Sequence, residues 1–162
     1  MNFLDKKEGS IFFIPLFLPT EIKENTKSYT KYKFNLSEQY AFGRLIENDA
    51  TNGDLIEIFR YIGTIPTDKK TIINSGLLFY PIHVALGFSK NRWRFVFEDL
   101  SYNKYKESDY SSLTFLLGNN REIWKGGIKQ EVNQSTIHQY EEWIVFPPTK
   151  VEKKIKEMNA SP

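Results

Sequence analysis

The chain contains no cysteine and only two histidines, and this scarcity excludes several kinds of chemistry. Without cysteine there is no disulfide, no cysteine-ligated zinc and no thiol nucleophile. His83 lies inside an apolar run, which favours a structural histidine that hydrogen-bonds its surroundings over a catalytic base. His138 lies near Glu141 and Glu142, but zinc requires about three or four ligands at compatible spacing. We therefore predict no metal site.

Long hydrophobic runs and a strong excess of either charge are also missing. No stretch approaches the roughly 18 apolar residues of a membrane-spanning helix, and residues 1–8 are too charged for a secretory signal. We therefore expect a cytoplasmic protein with no membrane partner. The 22 basic and 20 acidic residues give a net charge of +2, whereas proteins that depend on phosphate contacts usually carry a larger basic excess.

The sequence also lacks the patterns that are typical of active sites. Two pairs of adjacent carboxylates occur, at positions 98–99 and 141–142, but neighbours on a strand point to opposite faces and do not form an acid–base dyad. No serine is framed as a nucleophile elbow, and the glycines at 118, 126 and 127 match no phosphate-binding loop. We therefore predict that the protein is not an enzyme and needs no cofactor or small-molecule substrate.

What the sequence does contain is the material for β structure. Its 162 residues fit a single domain spanning 1–162, and aromatic residues, which favour strands, make up 15% of them. Apolar blocks at 11–18 and 39–47 predict buried strands. The first should lie at a sheet edge or carry a bulge, because Pro15 cannot donate to a ladder. A cluster of turn residues ending at Gly53 leads to a third strand over 54–62, which predicts a hairpin.

Two further elements complete the predicted fold. Residues 82–88 and 92–97 form a second predicted hairpin, in which Trp93 faces the core and Arg92 and Arg94 face the other way. Residues 149–158 predict a C-terminal helix. Thr149 and Glu152 have the spacing of a capping box, and Val151, Ile155 and Met158 fall on one face at helical spacing. We predict a mainly β fold: a single antiparallel β-sheet or partly closed small barrel with a C-terminal helix, and α+β at the margins.

Features that could contact a partner lie between and within the first two strands. Residues 19–38 form a polar insertion, either a mobile loop or a hairpin with one arm at 29–34. Arg44 follows Gly43 inside an apolar strand. Its side chain either points outward or pairs with a carboxylate such as Glu57, or else it is offered to a partner as an anchor. The stretch 29–34 also mixes basic and aromatic residues, as do small β-barrels that stack nucleic-acid bases.

The first two strands resemble the start of the immunity protein 26 family of bacterial polymorphic toxin systems. The family pattern is a glycine, an apolar strand ending in Ile-Pro-Leu, and a strand of the form Tyr-x-x-Gly-Arg. The matching residues here are Gly9, Ile11, Phe12, Ile14, Pro15, Leu16, Tyr40, Gly43 and Arg44. The resemblance covers roughly residues 8–98. This chain departs from the family at 19–38, where the family usually has a short turn.

The resemblance implies a binding protein that neutralises a cognate toxin domain by direct contact and occlusion, as part of bacterial competition. Tight interfaces rely on a few aromatic or arginine anchors. The candidate partner-binding residues are therefore Tyr29, Tyr32, Arg44, Tyr102 and Tyr105. The alternative function is that of a small β-barrel that binds nucleic acid, which the nearly balanced charge argues against.

Overall fold

A computed structural model describes residues 4–19 and 28–160, and most of its regular structure is β. The strands, in chain order, are β1 Ile11–Pro15, β2 Tyr40–Glu47, β3 Asp54–Ile58, β4 Ile82–Val84, β5 Arg94–Phe97, β6 Thr114–Leu116, β7 Glu122–Lys125, β8 Ile128–Glu131, β9 Glu141–Glu142 and β10 Val145–Phe146. The α-helices are α1 Lys69–Ile73, α2 Lys104–Glu107 and α3 Pro148–Ala160. Short 3₁₀ helices cover Tyr110–Ser112 and Gln134–Gln139.

The strands form two mixed sheets, so the prediction of a mainly β fold is confirmed but that of a single antiparallel sheet is wrong. The six-stranded sheet has the order β10-β4-β3-β2-β1-β5, and the four-stranded sheet has the order β8-β7-β6-β9. Within the described residues β5 and β10 end the larger sheet without pairing to each other, so no barrel closes. The sheets are mixed because the chain after β8 adds one short parallel strand to each of them, β10 beside β4 and β9 beside β6.

The first hairpin is confirmed, and β1 lies inside the sheet rather than at its edge. β2 and β3 pair antiparallel, with Arg44 opposite Glu57, and Gly53 ends the connecting turn at a φ of +93°. β1 pairs with β2 on one side and β5 on the other. Pro15 is tolerated because the pairing to β5 ends at Phe13, and the bulge lies instead between Ile11 and Phe12.

The predicted second hairpin does not form. β4 pairs with β3 and β10, whereas β5 pairs with β1 at the opposite end of the sheet. The connecting residues carry the chain across, with Leu86 and Asn91 at positive φ and the Trp93 N–H bonded to the Gly87 carbonyl at 3.1 Å. The crossing places the Trp93 ring over the Phe12 ring at 5.5 Å, and the burial of this aromatic pair stabilises the arrangement.

Both faces of the larger sheet are covered, which explains why its central strands are apolar at nearly every position. One face packs against α3 and the 85–93 crossing, in a cluster that includes Phe12, Leu45, Ile56, Trp93 and Ile155. The other face packs in a second cluster with α1, and a third cluster joins the two sheets. Trp93 is 1% exposed, so its predicted place in the core is confirmed.

The C-terminal helix is confirmed, but the reason given for its start is wrong. α3 begins at Pro148, whose fixed φ suits the first helical position, so Thr149 lies inside the helix rather than capping it. Glu152 is fully buried instead of bonding the helix start. Val151 and Ile155 are buried as predicted, whereas Met158 is 43% exposed because the helix runs past the edge of the core.

Candidate functional site

Residues 28–38 form a surface segment between β1 and β2 that is held by side chains rather than by strand pairing. Of the two alternatives stated for this insertion, the hairpin arm at 29–34 does not form, because these residues form a turn followed by irregular chain. In that turn the Tyr32 N–H donates to the Tyr29 carbonyl at 2.9 Å. Residues 20–27 of the predicted insertion lie outside the described residues. The segment therefore needs another source of order.

That source is a pair of arginines around the start of β5. The Arg92 guanidinium donates to the Pro19 carbonyl at 2.9 Å and to the Tyr29 hydroxyl at 2.8 Å. The Arg94 guanidinium donates to the carbonyls of Tyr29 and Tyr32, the latter at 2.7 Å. Charge-assisted hydrogen bonds of this kind are stronger than neutral ones. We call Arg92 and Arg94 the arginine clamp.

The clamp is itself oriented by the C-terminal helix. Glu152 accepts two hydrogen bonds from Arg92, at 2.7 and 2.6 Å, and a third from the Trp93 indole at 3.0 Å. Burial alone would lower the pKa of Arg92, but the bonds and charge of Glu152 outweigh it and raise that pKa. Arg92 therefore stays charged, and its position is fixed from both sides.

Beside the clamped segment lies an open groove of about 660 Å³. Its lining residues are Phe13, Thr30, Lys31, Tyr32, Lys33, Phe34, Leu36, Ile65 and Arg94. Phe13 is buried, whereas Tyr32 and Leu36 are 43% and 61% exposed. The Arg94 guanidinium covers the Phe34 ring at 4.3 Å. The surface offered here is apolar inside and basic at the rim, which suits recognition of another molecule.

Arg44 lies elsewhere, in the interior between β2 and β3. Its Nη1 is 3.6 Å from the Glu57 Oε1, and both side chains are almost fully buried. The Ser108 hydroxyl donates to Glu57 at 2.9 Å, and the Tyr102 ring lies 4.8 Å from the guanidinium. Desolvation raises the pKa of Glu57 despite the Ser108 bond and the Arg44 charge. The structure thus shows Arg44 paired with Glu57, the first of the two readings of its sequence position.

The tyrosines named from the sequence fall into two groups on the surface. Tyr29 is half-buried in the clamp, and the neighbouring Tyr32 is exposed. Tyr105 is 58% exposed on α2, whereas the Tyr102 hydroxyl is turned towards Ser108 at 2.6 Å. The structure therefore brings Tyr29 and Tyr32 together and places Tyr102 and Tyr105 at a separate location. Their contact with a partner stays a prediction.

His83 is structural, but it makes none of the hydrogen bonds predicted for it. Its ring stacks on Trp143 at 3.7 Å and meets the edge of Phe115 at 4.6 Å. Neither ring nitrogen has a hydrogen-bond partner among the described residues. Desolvation lowers the pKa of His83 to about 4, although the charge of Asp49 acts in the opposite direction. His83 is therefore neutral at pH 7.

The family comparison agrees with the pattern seen in the first two strands. The family model described as Immunity protein 26 matches residues 7–123. The chain belongs to the Immunity protein 26 family. No curated protein and no solved structure matches the chain significantly. The Immunity protein 26 match includes the arginine clamp and residues 28–38, whereas β8, β9, β10 and α3 lie beyond it.

Across residues 4–19 and 28–160 of this immunity-family chain, no three histidine, aspartate or glutamate side chains are grouped closely enough to hold a metal ion. In the same ranges no helix has both the length and the apolar character needed to cross a bilayer, the longest being the 13-residue α3.

Sequence reasoning missed the residues that build this site. Arg92 and Arg94 were placed opposite the core because they alternate with Trp93, yet they are only 6% and 9% exposed. Glu152 was assigned to a helix cap. The available signal was the run Arg-Trp-Arg, since arginines that alternate with aromatic residues on a strand covered on both faces must find buried partners. Which partners they find depends on long-range packing.

Proposed function

We propose that this immunity-family protein neutralises a cognate toxin domain by binding it directly and occluding its working surface. Membership of the Immunity protein 26 family carries the proposal. The protein would act in the cytoplasm of the toxin-producing cell, by binding rather than by catalysis. The surface that meets the toxin is inferred from the geometry of the described residues.

The clamped segment and its groove are the surface that best supports binding. Rigid presentation reduces the ordering cost that association must overcome, and the arginine clamp fixes the segment at Tyr29 and Tyr32. A stable complex usually buries about 800 Å² on each partner. The groove with its rim, extended over neighbouring surface, offers a centre for such an interface, with exposed Tyr32 as an aromatic anchor.

The direct experiment is co-expression with a candidate toxin domain taken from the genes that neighbour this one. We expect growth to be rescued, and we expect a tagged, catalytically inactivated toxin domain to co-purify with the protein. A matched control is an unrelated immunity protein expressed at the same level. Absence of both rescue and co-purification, with soluble and folded protein, would refute the proposed function.

A further inference from the structure

The charged side chains that line the groove beside residues 28–38 all carry the same sign. Lys31, Lys33 and Arg94 line it, and no carboxylate among the described residues does so. Lys31 and Lys33 are exposed, and neither forms a salt bridge within the described part of the chain. Glu38, the acidic residue of this segment, stands outside the lining. Lys31 and Lys33 therefore present positive charge that forms no salt bridge with any described residue.

The inner wall of the groove has a different character. Phe13 forms its buried part, Phe34 and Ile65 are half-buried, and Tyr32 and Leu36 are 43% and 61% exposed. The Tyr32 and Phe34 rings contact each other at 4.7 Å. An exposed apolar patch with a polar or charged rim is typical of a site that binds another molecule. An occupant that fits must bring an apolar group to the wall and negative charge to the rim.

The geometry points to an acidic segment of the toxin domain as the occupant, one that places an apolar side chain in the groove and carboxylates against Lys31 and Lys33. This inference rests on the proposed function and adds the chemistry of the partner surface. Charge complementarity of this kind mainly accelerates association and selects the partner. The segment meets the toxin in a fixed register because the arginine clamp holds its backbone at Tyr29 and Tyr32.

A single-stranded nucleic acid is the other occupant that a basic, aromatic groove could take, and the ring packing argues against it. Stacking of bases requires open aromatic faces. The Phe34 face is covered by the Arg94 guanidinium, and Tyr32 lies against both Phe34 and Tyr29, at 4.7 and 6.2 Å. The net charge of +2 adds little general attraction for phosphates. Protein carboxylates therefore fit this groove better.

The test measures binding of the purified full-length protein to the inactivated toxin domain encoded beside its gene. The double variant Lys31→Glu/Lys33→Glu reverses the rim charge. We expect its Kd to rise at least about tenfold, mainly through a slower association rate, because like charges then face each other. The control variant Lys125→Glu/Lys129→Glu makes the same charge change on the exposed β7–β8 hairpin. Its Kd should stay close to that of the unmodified protein.

Two further arms make the result specific. Lys31→Arg/Lys33→Arg keeps the charge and should keep the affinity, while Leu36→Asp should weaken binding by removing the apolar contact. Raising the salt concentration should weaken binding of the unmodified protein more than that of the double glutamate variant. Circular dichroism melts establish that each variant is folded, which is expected because Lys31, Lys33 and Leu36 are exposed.

The outcomes separate the two proposals. Tight binding by the unmodified protein together with an unchanged Kd for Lys31→Glu/Lys33→Glu would overturn the acidic-segment inference and leave the proposed function standing. No binding and no rescue by the unmodified protein would overturn both. A third outcome is that the unmodified protein does not bind the toxin domain but binds an oligouridine probe in a salt-dependent way, and that Lys31→Glu/Lys33→Glu abolishes this binding. That result would overturn the acidic-segment inference and show that the groove binds nucleic acid.

Discussion

Arg92 and Glu152 form a two-pronged ion pair that joins the C-terminal helix to the β-sheet. The Arg92 Nε and Nη2 donate to the two Glu152 carboxylate oxygens at 2.7 and 2.6 Å, and both side chains are buried. Arg92 then reaches Pro19 and Tyr29 with its remaining donors. A helix outside the region of the family match thus supports the surface segment that is the candidate binding site.

Replacing Glu152 should therefore destabilise the whole fold. Glu152→Ala leaves the buried Arg92 charge and the Trp93 indole N–H without their acceptor, and losing one partner of a buried ion pair typically costs about 3–5 kcal/mol. Glu152→Gln should cost less, because the amide oxygen still accepts a hydrogen bond. Urea unfolding at pH 7 measures both. Glu142→Ala, at an exposed position, is the control and should leave the free energy of unfolding nearly unchanged.

Weakening the clamp should loosen the surface segment before it affects the core. Arg94→Lys removes the planar fork that reaches the carbonyls of Tyr29 and Tyr32. Amide hydrogen exchange in residues 29–34 should become faster, while exchange in β2 stays slow. Arg121→Lys, at an exposed position, serves as the matched control. Unchanged exchange in 29–34 would mean that the segment is ordered by something other than the clamp.

Trp93 should be among the residues whose truncation costs most. It is 1% exposed and packs on Phe12 at 5.5 Å and Phe88 at 5.9 Å, so Trp93→Ala should lower the free energy of unfolding by about 3–5 kcal/mol. Leu86→Ala, a truncation at a residue that is 68% exposed in the same crossing segment, should cost far less. Similar losses for the two variants would contradict the packing of this segment.

His83 should make the protein sensitive to mild acid. Its pKa is about 4 in the folded state against 6.5 ordinarily, so between these values the unfolded chain binds more protons. Stability contributed by neutral His83 is therefore present above about pH 7 and is lost as the pH falls towards 4. The loss between pH 7 and 5 should be about 2 kcal/mol.

The variant His83→Phe separates this contribution from that of the carboxylates. Phenylalanine keeps an aromatic ring between Trp143 and Phe115 but cannot take up a proton. Denaturant unfolding at pH 7 and pH 5 should show a smaller loss for the variant than for the unmodified protein. Equal losses in the two proteins would show that His83 titrates normally in the folded state.

The elements that could be predicted from the sequence are those set by neighbouring residues. The β2–β3 hairpin follows from turn chemistry ending at Gly53, and α3 follows from apolar spacing at Val151 and Ile155. The second hairpin was wrong because the apolar runs at 82–88 and 92–97 are compatible with pairing to each other and with pairing to different strands. β5 joins β1 instead, and in this arrangement Trp93 stacks on Phe12.

For the candidate site, the sequence indicates a region of the chain but not the groove. Residues 19–38 stood out as a polar insertion, and Arg44 was placed opposite Glu57 as one of two options. The groove itself could not be predicted, because its walls come from β1, the segment after Tyr29 and Ile65 beyond β3. Residues this far apart in sequence leave no periodic signal in any one segment.

The sequence alone determines that this chain is mainly β with a terminal helix, and its first two strands carry the family pattern. These properties depend on local periodicity and on residue identity, both of which can be read along the chain. The tertiary structure decides which charges are buried and which stay available. Arg92 is paired with Glu152, Arg44 lies beside Glu57, and Arg94 donates to the carbonyls of Tyr29 and Tyr32, whereas Lys31 and Lys33 form no salt bridge with any described residue. That distinction depends on desolvation and long-range contacts, which exist only once the two sheets and α3 are packed together.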